Sequence, residues 1–230
     1  MKTISGIAIS TTLLALAPST QNRQTIDPGW TSEFAVAAGD WTSTGRNPYF
    51  VLEPGYVLEL ANGGERLVVT VLNDTRIVDG VTTRVVEERE TKDGRPVEVS
   101  RNYFAISTRT NAVFYFGEDV DAYKDGKVAN HEGSWIAGQN GARFGLMMPG
   151  LPLVKARYYQ EIAPRIAMDR AEIVSMTETL QTPAGTFTAV LKTIESSQLE
   201  SGPGEAKYYA AGVGLLQDGS LKLVKYGATR

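Results

Sequence analysis

The sequence predicts an all-β protein, an antiparallel meander that forms a barrel, half-barrel or sandwich, with one or two short helices. Three observations carry this. First, the pairs Asp79-Gly80, Asp93-Gly94 and Asp125-Gly126 stand between runs rich in β-branched residues. Both central residues of a type I′ hairpin turn need positive φ, which Asp and Gly tolerate. Second, about a dozen short strand-like runs follow one another at regular turn spacing. Third, sustained helical periodicity is scarce, which favours a sheet folded on itself.

The strands follow in order. Tyr56–Ala61 ends at Asn62-Gly63-Gly64, and Glu65–Val78 ends at the first Asp-Gly pair. Val81–Thr91, Arg95–Ser107, Ala112–Tyr123 and Lys127–Ile136 continue the meander. Residues 137–157 are rich in Gly and Pro and read as a long functional loop, with Met147-Met148-Pro149 as a flexible apolar lid or anchor. Further strands are expected at Tyr158–Ile162, Ala171–Gln181, Thr186–Ser196, Glu205–Ala210, Val213–Gln217 and Ser220–Tyr226, with a short helix around Arg165–Arg170.

The domain reading is a signal peptide over residues 1–19, an N-terminal arm over 20–47 and one β-rich domain over 48–230. Lys2 precedes an apolar run from Ile4 to Ala17, and Ala17-Pro18-Ser19 supplies small residues at an exit site. This pattern implies a periplasmic or secreted location. The run is too short for a membrane span, and none is expected elsewhere.

Composition removes several function classes. The 230 residues are 42% hydrophobic and 21% charged, with a net charge of −3. No basic footprint for nucleic acid is present. The absence of cysteine excludes disulfides, thiolate nucleophiles and cysteine-ligated metals. The lone histidine, His131, excludes sites that need two or three.

Val81–Thr91 is polar on both faces: Val85, Glu87 and Arg89 share one, and Arg84, Val86, Glu88 and Glu90 the other. Such a strand fits either a wet concave sheet or an edge blunted by charge. Ten tyrosines, seven phenylalanines and three tryptophans supply rings for a ligand cavity or for ordinary cross-strand packing.

The Ala112–Ile136 hairpin holds the sharpest candidates. With Asp125-Gly126 as a two-residue loop, Asp121 faces Asn130, Val120 faces His131, Asp119 faces Glu132 and Phe116 faces Trp135. Asp119, Asp121, Asn130 and Glu132 then share one face. Like charges opposite one another are destabilising. A bound divalent cation, Ca²⁺ above all, would explain the cluster; a solvated acidic face beside the turn, neutralised by Lys124 and Lys127, is the simpler explanation. His131 on the other face is either a packed core residue or a general base or acid, with Glu132 as its catalytic neighbour. Glu88, Glu90, Glu132 and Glu161 are candidate paired carboxylates for glycoside chemistry, with no separation fixed by sequence.

Asn47-Pro48-Tyr49-Phe50-Val51-Leu52-Glu53-Pro54-Gly55 and Lys207-Tyr208-Tyr209-Ala210-Ala211-Gly212-Val213-Gly214 resemble two stretches of uncharacterised exported bacterial β-rich proteins. The second is also similar to a stretch of half-barrel periplasmic proteins of the lipoprotein-carrier kind. Val51 and Ala211 stand where those proteins more often carry Pro. The resemblance implies export and a β-rich fold, and brings no catalytic residue with it.

Three functions follow as expectations. The leading one is an exported binding protein that holds a small-molecule or lipid-like ligand, apolar or mixed, in a curved sheet. The second is an extracytoplasmic hydrolase or lyase using His131 and Glu132. The third is a Ca²⁺-stabilised structural or interaction module.

Overall fold

The computed structural model describes residues 25–228, so the expected signal peptide lies outside the described residues. Eighteen strands follow in chain order. β1 (Trp41–Thr42), β2 (Gly45–Asn47) and β3 (Phe50–Leu52) are short. The first long meander is β4 (Tyr56–Asn62), β5 (Glu65–Val78), β6 (Val81–Lys92), β7 (Arg95–Ser107) and β8 (Val113–Lys124). Short pieces follow: β9 (Lys127–Asn130), β10 (Trp135–Ile136), β11 (Arg143–Met148), β12 (Arg157–Tyr159) and β13 (Glu161–Ile162). The second meander is β14 (Asp169–Thr182), β15 (Gly185–Ser197), β16 (Glu205–Ala210), β17 (Gly214–Asp218) and β18 (Leu221–Ala228).

Thirteen strands form one antiparallel path, β12-β14-β15-β16-β17-β18-β4-β5-β6-β7-β8-β11-β13. The pairing of β18 with β4 joins the two meanders. The two ends of the path are consecutive pieces of one chain segment. Its first half pairs with β14 and its second half with β11, and no ladder joins β12 to β13. The sheet is therefore a barrel, nearly closed, with one unsealed seam. Near-closure leaves only the short β12 and β13 as the ends of the path, in place of two long exposed edges.

Local chemistry explains the hairpins. Asp79, Asp93 and Asp125 have φ of 49°, 51° and 53°, each followed by a positive-φ Gly, as type I′ turns require. The long strands coil round the barrel because bulges interrupt their registers, among them one between Val71 and Thr75 of β5 and one at Asn102/Phe104 of β7 against β8. That second bulge is made at Phe116-Gly117, where Gly117 has φ of 136°. It turns Tyr115 and Glu118 to the same side of the sheet.

Two sequence expectations change. Arg165–Arg170 is not a helix: Arg165 has φ of 68°, Ala163 bridges Ala167, and β14 begins at Asp169. Among the described residues there is no helix at all. The long loop expected at 137–157 contains β11, which the sequence's turn residues concealed. Residues 25–44, part of the expected arm, lie against the outside of the seam. Trp41 packs edge-on against Phe114, Phe116 and Phe144, and Trp30 meets Tyr159.

The barrel floor is apolar and plugged. The β2–β3 hairpin brings Phe50 against Phe104, which stacks on Tyr115 at 4.6 Å. Asn47, 1% exposed, holds this plug through Nδ2 donated to the carbonyls of Asn111 and Pro149, while its Oδ1 accepts from the Tyr49 amide. That is the physical content of the Asn47-Pro48-Tyr49 stretch: every polar atom of a buried amide is satisfied.

Candidate functional site

The hairpin cluster read from the sequence does not assemble. Lys124 faces Lys127 as expected, but a register shift between Ala122 and Tyr123 sets Asn130 opposite Ala122, not Asp121. Trp135 stands opposite Glu118, not Phe116. Asp119 instead accepts from the Tyr103 hydroxyl at 2.6 Å and from Arg76 at 2.7 Å. Asp121 meets Arg101 at 3.2 Å and the Nδ1 of His131 at 3.0 Å. Asn130 accepts from the Glu132 amide, closing a local turn, and Glu132 itself is exposed. The carboxylates are thus held by cations already on the surface. Among the described residues, no three acidic or histidine side chains converge as a metal-ligand set. The Ca²⁺ expectation had rested on the displaced register.

His131 also leaves the place the sequence reading put it. Its side chain is 68% exposed, with Nδ1 2.8 Å from the Val120 carbonyl oxygen. It is neither a packed core residue nor the floor of a cleft. His131→Ala should cost less than about 1 kcal/mol, the range of exposed pairs, measured by chemical denaturation. A loss several times larger would show that the hairpin depends on it.

The site the structure does build is the barrel lumen. Cross-strand rows fix which side chains face inward. One row runs Leu60, Leu67, Glu90, Glu98; the next runs Leu58, Val69, Glu88, Ser100; a third runs Val71, Val86, Asn102, Glu118, Trp135. From the second meander, Lys207 faces Thr193 on one side and Asp218 on the other, and Tyr158, Ala171 and Glu195 form a row. The polar second face of β6 is therefore luminal. β6 lies between β5 and β7, so the edge-strand explanation of its charges does not hold.

A cavity of about 780 Å³ opens at one end of the barrel, with Leu67, Glu90, Asp169, Glu195, Lys207 and Asp218 on its wall and residues 200–205 at its rim. Lys207 and Asp218 also border a smaller apolar pocket of about 70 Å³ walled by Tyr56, Leu58, Val69, Val71 and Val86. The lumen is thus acidic at the mouth and apolar towards the floor, and Lys207 stands between the two.

Its polar groups form networks. Lys207 reaches Glu195 at 3.3 Å and Asp218 at 3.2 Å. Glu195 also accepts from Tyr209 at 3.0 Å and from Thr193 at 3.1 Å. Tyr115 donates to Asn102, whose amide donates to Ser100 at 3.1 Å. Among the described residues, two buried groups lack hydrogen-bond partners: the indole N–H of Trp135 and the hydroxyl of Tyr158. Trp135 lies close enough to Glu161 to favour its charged form, without well-formed hydrogen-bond geometry.

Desolvation dominates the titration of these carboxyls. It raises Glu88 to about 7 and Glu118 to about 8, and raises Glu90, Glu98, Glu161 and Asp169 in the same direction. The carboxyls also repel one another across the lumen: Glu88 on β6 feels Asp218 on β17, and Glu118 on β8 feels Asp169 on β14. Lys207 is the cation whose charge Glu88, Glu90, Glu161 and Asp169 feel. Burial works against its own charge, but Glu195 and Asp218 outweigh that and hold the ammonium well above its usual range. Glu88, Glu118 and Glu161 are hemmed in by protein, yet they are only half-buried by accessible surface. Both hold when a side chain lines an internal space wide enough for solvent.

Sequence reasoning had singled out Glu88, Glu90 and Glu161 as carboxylates without a place, and missed Glu118, Asp169, Glu195, Lys207 and Asp218. The available signal was the polarity of both faces of Val81–Thr91. No known protein family, curated protein or solved structure matches the chain.

Proposed function

We propose that this chain is an exported binding protein that carries a small ligand inside its barrel. The observation that supports it is the lumen: a space open at one end, with an acidic mouth, an apolar floor and ionisable side chains that retain accessible surface within the fold. Cavities at barrel mouths, largely preformed and with a few convergent polar groups, are the usual setting of small-molecule sites. Export is carried by the charged, apolar and small-residue order of residues 2–19.

The test is to fill the lumen. N-phenyl-1-naphthylamine, an uncharged aromatic probe, should bind the native protein one-to-one with a rise in fluorescence. Val69→Trp and Leu221→Trp place an indole in the floor and in the mouth respectively. Each should weaken binding by about tenfold or more while circular dichroism remains that of the native sheet. Equal binding by native and filled proteins would place the probe elsewhere and end the reading.

A further inference from the structure

We infer that the ligand of this lumen is an extended organic cation, an aliphatic polyamine in chemical class; the inference rests on the ligand-binding reading above. The first support is the sign and spread of charge. Glu65, Glu90, Asp169, Glu195, Glu205 and Asp218 stand around a cavity of about 780 Å³, and Glu88 and Glu118 lie deeper. Against them stand Lys207, already engaged by Glu195 and Asp218, and Lys92, already paired with Glu65 at 3.0 Å. An anionic headgroup entering here would meet carboxylates and no available ammonium. Lys92 and Lys207 pair with Glu65, Glu195 and Asp218, so the carboxylates outnumber the cations set against them, and a cation that enters relieves the like-charge cost that is left.

The second support is geometric. Among the described residues no three carboxylates come close enough to ligate one metal ion. The negative charge is distributed along the cavity rather than focused at a point. A compact divalent ion can touch only part of it, whereas ammonium groups spaced along a flexible chain can meet successive carboxylates.

The third support lies in the unpartnered groups. Tyr158 is 2% exposed, and its hydroxyl, on the luminal row with Ala171 and Glu195, has no hydrogen-bond partner. It offers lone pairs to an N–H donor. Trp135, 4% exposed, stands opposite Glu118, and its own N–H lacks an acceptor.

The experiment is calorimetric titration of the full chain with spermidine, alongside calcium chloride at matched ionic strength and the uncharged triethylene glycol. Spermidine should bind one-to-one, on the order of tenfold or more tighter than either comparison, and should displace the naphthyl probe. The double variant Glu88→Gln/Glu118→Gln should weaken spermidine on the order of tenfold, while Glu87→Gln on the outer face of the same strand leaves it unchanged. Equal loss from luminal and outer variants would reduce the effect to diffuse surface charge and overturn the inference. So would Ca²⁺ or the glycol matching spermidine. Naphthyl probe bound in the lumen with no spermidine binding overturns the polyamine reading and leaves the ligand-binding reading standing; absence of both removes the two together.

Discussion

Raising the pH from 5.5 to 8.5 should lower the melting temperature of this protein by roughly 5 to 10 °C. The cause is the set of luminal carboxyls. Glu88 titrates at about 7 and Glu118 at about 8 in the folded chain, against an ordinary value of 4.5 that the unfolded chain recovers. Between those limits the folded state keeps protons that the unfolded state gives up. Stability is then complete below about pH 4.5, falls as pH rises through 7 to 8, and levels off above. At about 1.4 kcal/mol per pKa unit, and discounted for solvent reaching these half-buried side chains, the set contributes roughly 2 to 3 kcal/mol over the window. For a chain of this size each kcal/mol moves the midpoint by about 2 to 4 °C. Lys207, held above its usual range, loses its contribution only at still higher pH and does not mask the trend. Scanning calorimetry across the window is the measurement. A flat or rising midpoint would contradict the luminal placement of these groups, and Glu88→Gln/Glu118→Gln should flatten most of the slope.

Gly145→Ala should be a severely damaging single methyl at the barrel seam. Gly145 on β11 pairs with Tyr115 on β8, and the chain at Gln160 crosses directly over it at the seam. A Cβ here would overlap the Gln160 carbonyl and lie 2.8 Å from the carbonyl oxygen of Tyr159. Both obstacles are backbone. Gln160 is 4% exposed, and its amide donates to Asp169 at 2.8 Å, so the crossing segment has nowhere to shift without leaving β14. Overpacking of this kind costs about 3 kcal/mol or more, close to 10 °C in the midpoint. Because the same crossing joins the two ends of the sheet, the variant should also lose the naphthyl probe. Gly39→Ala, with open space around the added methyl, serves as the control and should stay within about 1 kcal/mol of native. A Gly145→Ala protein that melts and binds as the native one does would mean the seam can open at no cost.

What the sequence alone determined was the set of features encoded within a few residues. The three Asp-Gly turns adopt the positive φ that their chemistry demands, and they set β5 and β7 to the expected residues. The alternation of side chains along β6 was also legible, because a strand's period of two needs no partner to define it. Residue type could therefore announce a meander and a strand with ionisable groups on both faces.

What only the tertiary structure decided was register and convergence. The shift at Ala122/Tyr123 and the bulge at Phe116-Gly117 each displace one strand against another by a single residue, and each reverses which side chains share a face. The first dissolved the Asp119, Asp121, Asn130 and Glu132 cluster; the second turned Glu118 into the lumen. Glu88, Glu161, Asp169, Glu195, Lys207 and Asp218 come from strands far apart in the chain, and curvature alone brings their charges within reach of one another. A turn is set by two residues in contact with each other. A lumen is set by how every strand of the barrel is offset against its neighbours, and no local pattern records that sum.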